Sequence, residues 1–343
     1  MQTFEKGVKM SCTLKDIANI SGMSISTVSR ALNDSPLIKE KTKAKIKAIA
    51  KSMNFEFNAN ARSLIKSETN VIGIIFANNY YNQKTKTFYS TFERYLIDEI
   101  EKNGFEAIIL SAFNAYTKNS NIKKIINGKK VDGLVIVTRD ITEEDLEILE
   151  SSDIPFAFLY YPVKKTNFNN CSFTVDNEKS GSLAAKYLHS QNLKKILMVT
   201  KETQTETNYI DRTLGFLEEA KKLNLEVTTS HSGVLFEEGY NFVLENLEEI
   251  LKYDAIFCQQ DYGALGIIKA LNENNIKIPK EISILGHDDF ESIINMFSPK
   301  LTTIKLPFEE MALNSVNYLI GKIKKEKRAI KRKFKSTIIK RES

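Results

Sequence analysis

Within nine residues, Ser24-Ile25-Ser26-Thr27-Val28-Ser29-Arg30-Ala31-Leu32, the chain gathers short hydroxyl side chains and one forked cation. Hydroxyls of that size can approach base edges in a DNA major groove, and an arginine among them can donate two bonds to guanine. A second chemical opportunity lies further on, where short apolar runs end in polar residues. If those runs are parallel strands, the polar residues gather at the strands' carboxyl ends, where α/β folds bind small polar ligands. Other chemistries find no support. Cys12, Cys171 and Cys258 are far apart with no metal-ligand spacing, so neither a disulfide framework nor a zinc site is expected. His189, His231 and His287 are scattered, no phosphate-cradling glycine loop occurs, and no catalytic residue, metal or cofactor is expected.

The elements that must position these groups follow from spacing. Thr13 stands three residues before Asp16 in a capping-box arrangement, and Leu14, Ile17 and Ala18 share one helical face. Ser21-Gly22-Met23 interrupts, and helical spacing resumes at Ile25, Val28 and Leu32, giving a helix-turn-helix. A third helix, from about Glu40 to Met53, covers both with Ile46, Ile49, Ala50 and Met53. Asn58 to Ser67 reads as a plain linker or as a helix that forms on DNA, with Leu64 as an apolar wedge into the minor groove.

Beyond it, Val71–Phe76, Glu106–Leu110, Gly133–Thr138 and Pro155–Leu159 are short apolar runs separated by helical stretches, including Phe88–Asn103. The alternation restarts with helices Glu178–Gln191, Asn208–Leu223 and Tyr262–Asn274, and strands Lys195–Thr200, Ala255–Cys258 and Ile282–Leu285. Alternating strands and helices imply parallel sheets, here in two doubly wound halves facing a cleft.

The charge is unevenly spread. Residues 1–67 balance to +7, residues 68–321 to −10 and residues 322–343 to +9. A basic module on an acidic body suits a reader of nucleic acid that carries a separate domain. The basic segment Lys322–Lys340 contains Ser336-Thr337-Ile338-Ile339, read as a final strand on the second half with solvated lysines around it. No leucine heptads follow, so no tetramerising coiled coil is expected. No run approaches the roughly 18 uncharged apolar residues of a membrane span. The N-terminus has no secretory pattern either, so a cytoplasmic location is expected, with translation starting at Met1 or Met10.

Leu14-Lys15-Asp16-Ile17-Ala18, Gly22 through Asn33 and Asn58-Ala59-Asn60-Ala61-Arg62-Ser63-Leu64 resemble the headpiece and hinge of the LacI/GalR family of bacterial repressors. Phe55-Glu56-Phe57-Asn58 departs from that family's Tyr and Pro before the Asn. The resemblance continues through Val175-Asp176-Asn177, Arg212-Thr213-Leu214-Gly215-Phe216, Gln260 through Gly266, Ile282 through Asp289, Leu301-Thr302-Thr303-Ile304 and Arg341-Glu342-Ser343.

It implies an all-α helix-turn-helix headpiece plus an α/β periplasmic-binding-protein-like body of two doubly wound parallel-sheet subdomains. The expected limits are 11–57 for the headpiece, 58–69 for the hinge and 70–343 for the body. Within the body, about 70–160 with 291–321 would form one subdomain, and about 161–290 with 322–343 the other. The DNA contacts so implied are Thr13, Ser24, Ile25, Ser26, Thr27, Ser29, Arg30, Asn33, Asn58, Ala61 and Leu64. The implied effector contacts are Asn78, Tyr160, Arg212, Gln260 and Asp288, supported by Asp176 and Asp261. Tyr160 replaces a polar or acidic family contact, and residues 78–89 lack the family's short Asn-Pro-Phe pattern. Tyr80, Tyr81, Phe88, Tyr89 and Tyr160 either stack on a sugar ring or simply pack.

The expected function is a ligand-responsive transcriptional regulator, a repressor of carbohydrate-related genes. It binds a palindromic double-stranded operator as a homodimer under control of a sugar or sugar derivative. A phosphoprotein corepressor stays open as a further partner. The competing reading, a solute-binding protein of sugar uptake, fits the body and leaves the basic first module unexplained.

Overall fold

The structure is a computed structural model that describes residues 12–53, 55, 68–82, 86–161, 163, 166–203, 206–231 and 233–343. The expectations for Asn58, Ala61 and Leu64 lie outside the described residues. The chain divides into two compact units, Met1–Thr69 and Asn70–Ser343.

The first unit holds α1 (Leu14–Ser21), α2 (Ile25–Leu32) and α3 (Glu40–Ser52). Thr13 Oγ1 accepts from the Asp16 amide at 3.3 Å while the Asp16 carboxylate accepts from the Thr13 amide at 2.8 Å, a reciprocal cap on α1. Gly22 ends α1 at φ +69°, a left-handed conformation that glycine adopts at little cost. Ser24 Oγ accepts from the Thr27 amide at 3.1 Å and starts α2. Ile17, Ala18, Val28, Ala31, Ile46 and Ala50 form the core. Ile25, expected on the apolar stripe of α2, is 49% exposed, because the stripe runs through Val28 and Ala31 instead.

The second unit contains two six-stranded sheets. One comprises β1 (Val71–Phe76), β2 (Glu106–Ser111), β3 (Gly133–Val137), β4 (Phe156–Leu159), β5 (Ser172–Val175) and β11 (Lys333–Phe334), in the order β11-β5-β4-β3-β1-β2. The other comprises β6 (Lys195–Val199), β7 (Glu226–Ser230), β8 (Ala255–Cys258), β9 (Ser283–Asp288), β10 (Thr302–Lys305) and β12 (Thr337–Ile339), in the order β12-β10-β9-β8-β6-β7. Every pairing is parallel except β12 on β10. Helices α4 (Lys86–Lys102), α5 (Asn121–Asn127), α6 (Glu143–Ser151) and α12 (Phe308–Ile323) accompany the first sheet. Helices α7 (Asn177–Ser190), α8 (Thr207–Lys222), α9 (Phe236–Ile250), α10 (Asp261–Glu273) and α11 (Glu291–Ile294) accompany the second.

The expected subdomain limits need correction. Segment 172–175 was placed with the second half, yet β5 pairs with β4 through Phe158↔Ser172 and Leu159↔Phe173 in the first sheet. Segment 302–305 was placed with the first half, yet β10 pairs with β9, Thr302 opposite Leu285, in the second. Segment 322–343 is shared: α12 ends at Ile323 and β11 pairs with β5 in the first sheet, while β12 joins the second. The chain therefore changes sheets after β5, after β10 and between β11 and β12. A short apolar strand carries no mark of which sheet it will join; backbone pairing decides.

Close packing in the second half depends on two glycines. A Cβ on Gly181 would stand 2.0 Å from the Arg212 carbonyl oxygen, and one on Gly215 would stand 1.9 Å from that of Glu178. Helices α7 and α8 therefore touch backbone to backbone, which brings Arg212 beside Asn177.

Candidate functional site

Two surfaces carry the sequence-derived candidates, one in each unit. On the headpiece, Ser24, Ile25, Ser26 and Arg30 are exposed, and Thr27, Ser29 and Asn33 are half-buried. Several of these groups are already bonded within the headpiece. Ser24 Oγ lies 2.9 Å from Ser26 Oγ and 2.8 Å from Thr27 Oγ1, and Asn33 Nδ2 donates to the Ser29 carbonyl at 2.9 Å. The Thr13 hydroxyl donates to Asp16 at 2.6 Å. The Arg30 guanidinium makes no hydrogen bond or ion pair among the described residues, which leaves its fork available to an outside acceptor.

In the body, a cleft of about 510 Å³ is lined by residues from both halves. Tyr160, Arg212, Gln260 and Asp288 all line it. Asn78 does not: its amide donates to Asp140 at 3.1 Å, and its side-chain oxygen accepts from the Phe113 amide at 2.9 Å. Through its backbone N–H and its side-chain oxygen it therefore ties together the loops that follow β1, β2 and β3.

Arg212 projects from α8 and is only 2% exposed. Its Nη1 donates to the Gln259 carbonyl at 2.7 Å and its Nη2 to Asn177 Oδ1 at 3.1 Å, while its buried Nε has no partner among the described residues. Unpaired buried donors are costly, so this one is suited to an acceptor entering the cleft. Asp288 ends β9 at φ +122°, and its Oδ1 is 2.9 Å from His287 Nδ1. Burial pushes the Asp288 carboxyl well above the usual carboxylate range, with Arg212 opposing. Burial, together with Arg212, also holds the His287 imidazole far below its ordinary value, so His287 is neutral. Tyr160, at φ +71°, has its phenol pushed up to about 12 by burial and the neighbouring Asp288.

Asp261, at the start of α10, holds the turn beyond β9 from behind. It accepts from the Phe290 amide at 2.9 Å and the Thr303 hydroxyl at 2.6 Å, and burial pushes its carboxyl up to about 6. Asp176 caps α7 through the Lys179 amide at 3.3 Å, fixing the helix start that carries Asn177.

The opposite wall is aromatic. Phe88, Tyr89, Tyr160 and Tyr161 line the cleft, with Phe88 and Tyr160 centroids 4.8 Å apart, whereas Tyr80 and Tyr81 stay outside it. Sequence reasoning missed Arg139, Tyr161, Glu206, Asn208 and Tyr209. Arg139 follows β3 and Tyr161 follows β4, so the strand-end rule would have found both; the other three sit at the start of α8. Bonds cross between the halves here. Arg139 pairs with Glu206 at 2.9 Å, and the Thr87 and Tyr262 hydroxyls are 2.6 Å apart. Burial works to raise the Glu206 carboxyl, but Lys201 and Arg139 outweigh it and hold it below its ordinary value.

Among the described residues no cluster suited to a metal ion is present, and no helix is long and apolar enough to cross a membrane.

Residues 13–58 match the bacterial regulatory proteins of the lacI family, and residues 185–343 match the periplasmic binding protein-like domain. The HTH-type transcriptional repressor PurR of Vibrio vulnificus is 30% identical over 327 residues, covering 91% of this chain and 92% of that protein. The chain belongs to the LacI family. It is a ligand-responsive DNA-binding transcriptional regulator.

The sucrose operon repressor of Streptococcus mutans is 30% identical over 315 residues, covering 92% of this chain and 93% of that one. Among solved folds, the lac repressor dimer bound to operator and an anti-inducer superposes with a TM-score of 0.74 at 19% identity, covering 97% of this LacI-family chain and 98% of that one. A regulator from Enterococcus faecium with bound ribose gives 0.65 at 24% identity, covering 80% and 98%.

Proposed function

We propose that this LacI-family protein is a cytoplasmic repressor that binds a palindromic operator as a homodimer and responds to a neutral sugar in the cleft of its body. The headpiece, residues 11–57, reads bases through Ile25, Ser26 and Arg30, and residues 58–69 form the hinge. The observation that carries the effector reading is the meeting of Arg212 and Asp288, both buried, on one wall of a cleft whose other wall is aromatic. A forked donor and a carboxyl group can together bond several hydroxyls, while rings cover the apolar face of a pyranose. The volume lies within the range of small-molecule sites.

Charge supports neutrality of the ligand. Arg139, Lys201 and Arg212 share the described lining with Glu202, Glu206 and Glu238, so no surplus of cations awaits a phosphate. Ribose, bound in the Enterococcus faecium regulator, is a neutral sugar.

The test is a thermal-shift screen of the full chain with neutral mono- and disaccharides, sugar phosphates and purines, because a ligand selective for the folded state raises apparent stability. Hits are then titrated into an operator complex followed by fluorescence anisotropy. A neutral sugar should raise the melting temperature and change operator affinity, and Arg212→Ala should abolish both effects. Stabilisation by sugar phosphates or purines alone would overturn the neutral-sugar reading.

A further inference from the structure

The segment Arg341-Glu342-Ser343 is far in sequence from every residue of the cleft, yet it is bonded to Asp289, the residue after Asp288, and to the starts of β9 and β10. Arg341 Nη2 pairs with Asp289 Oδ1 at 2.6 Å, and Nη1 donates to the Leu301 carbonyl at 2.9 Å. The Glu342 carboxylate accepts from the Lys300 amide at 2.8 Å. Ser343 Oγ accepts from the Thr302 amide at 2.8 Å and donates to the Ile284 carbonyl at 2.7 Å, joining β9 to β10.

The turn at the end of β9 needs such support. Asp288 and Asp289 are consecutive non-glycine residues with φ of +122° and +62°. Side chains rarely tolerate such backbone, which persists only where the surroundings over-determine it. The two side chains part: Asp288 lines the cleft, whereas Asp289 is held by Arg341 and, at 3.7 Å, by Lys305. The Arg341–Asp289 pair is largely buried, with side chains 14% and 4% exposed, so it is not a surface pair that solvent would weaken.

We infer that Arg341 is a positioning residue of the effector site, acting through Asp289 to fix the backbone that presents Asp288 to the cleft. This rests on the reading of the cleft as the effector site, but its test needs no effector, so the two can fail separately. A forked guanidinium can hold the Leu301 carbonyl and the Asp289 carboxylate at once; a lysine at this position would keep the charge and lose one arm.

The probe is the imidazole of His287, whose Nδ1 lies 2.9 Å from Asp288 Oδ1 and therefore reports where that carboxyl sits. The chain has three histidines, and His189 and His231 are exposed, so side-chain nitrogen NMR of the histidine-labelled full chain resolves the buried one, with His287→Gln assigning it. Arg341→Gln is expected to shift the His287 Nδ1 resonance by more than its line width and to leave His189 unmoved. Asp289→Asn should reproduce that shift, and serves if Arg341→Gln does not fold. Arg341→Lys should recover part of the native position. Arg328→Gln, which breaks the Arg328–Glu326 pair at 3.0 Å elsewhere in the body, should leave His287 in place. An unmoved His287 in folded Arg341→Gln or Asp289→Asn would overturn the proposal. So would an equal shift in Arg328→Gln, because His287 would then be reporting general loosening.

Discussion

The headpiece and the cleft present polar groups in opposite states of solvation. On α2 the Ile25, Ser26 and Arg30 side chains are exposed to water, and Arg30 has no protein partner among the described residues, so its solvation must be stripped when it meets a base. In the cleft, Arg212 and Asp288 were taken out of water when the body folded, at 2% and 5% exposure. The cost of desolvation falls on binding in the first case and on folding in the second. An exposed arginine should therefore contribute to DNA specificity with little effect on stability, whereas a buried one should affect ligand affinity and stability together.

The largest expected effect breaks the buried side. Arg212→Ala leaves the Gln259 carbonyl and Asn177 Oδ1 without their donor, so unfolding free energy should fall by about 3 kcal/mol in urea denaturation. Effector binding should become undetectable in calorimetry. A variant of native stability that still bound the effector would remove the distinction between the two surfaces.

Asp261 tests the same side through pH. Its carboxyl rises from 3.8 to about 6 on folding, so between these values the folded state holds a proton that the unfolded chain has released. Stability from this group is present at about pH 4, falls as pH rises towards about 6 and is level above that. Asp261→Asn should abolish this slope, a relative change of up to about 3 kcal/mol between denaturation series at the two ends.

Arg30→Ala should leave the melting temperature unchanged and weaken cognate operator binding by about 1–3 kcal/mol, with relaxed specificity at one symmetric pair of bases. Paired titrations on cognate and random DNA at fixed salt decide the matter. Equal losses on both would make Arg30 a phosphate contact, and a loss of stability would show that it has a partner beyond the described residues.

The smallest effect sharpens the comparison within the headpiece. Thr13 was expected to contact DNA, but its hydroxyl is occupied by Asp16. Thr13→Ala should lower headpiece stability by about 1 kcal/mol, through loss of the cap, without changing which operator sequence is preferred. Thermal melts and a specificity profile measure the two separately.

Much of this was legible in local order. Thr13 and Asp16, Gly22, and the spacing of Ile17, Ala18, Val28, Ile46 and Ala50 determine the headpiece helices, because caps, turns and helical stripes act over three to seven residues. The apolar runs at Val71–Phe76 and Ala255–Cys258 likewise specify buried strands before any partner is known.

Long-range contact decided the rest. Nothing near β5 or β10 says which of two similar sheets will accept its hydrogen bonds. Asn78 looks like Gln260 in sequence, each following an apolar strand, yet one binds neighbouring loops and the other lines the cleft. Arg212 meets Gln259 and Asn177 only because Gly181 and Gly215 let two helices approach backbone to backbone. Local residue order was enough to specify the elements and the types of polar group available. Their pairing depended on which strand ends and helix starts met after the chain crossed between sheets, since hydrogen bonds and desolvation act at contact distance, whatever the separation along the chain.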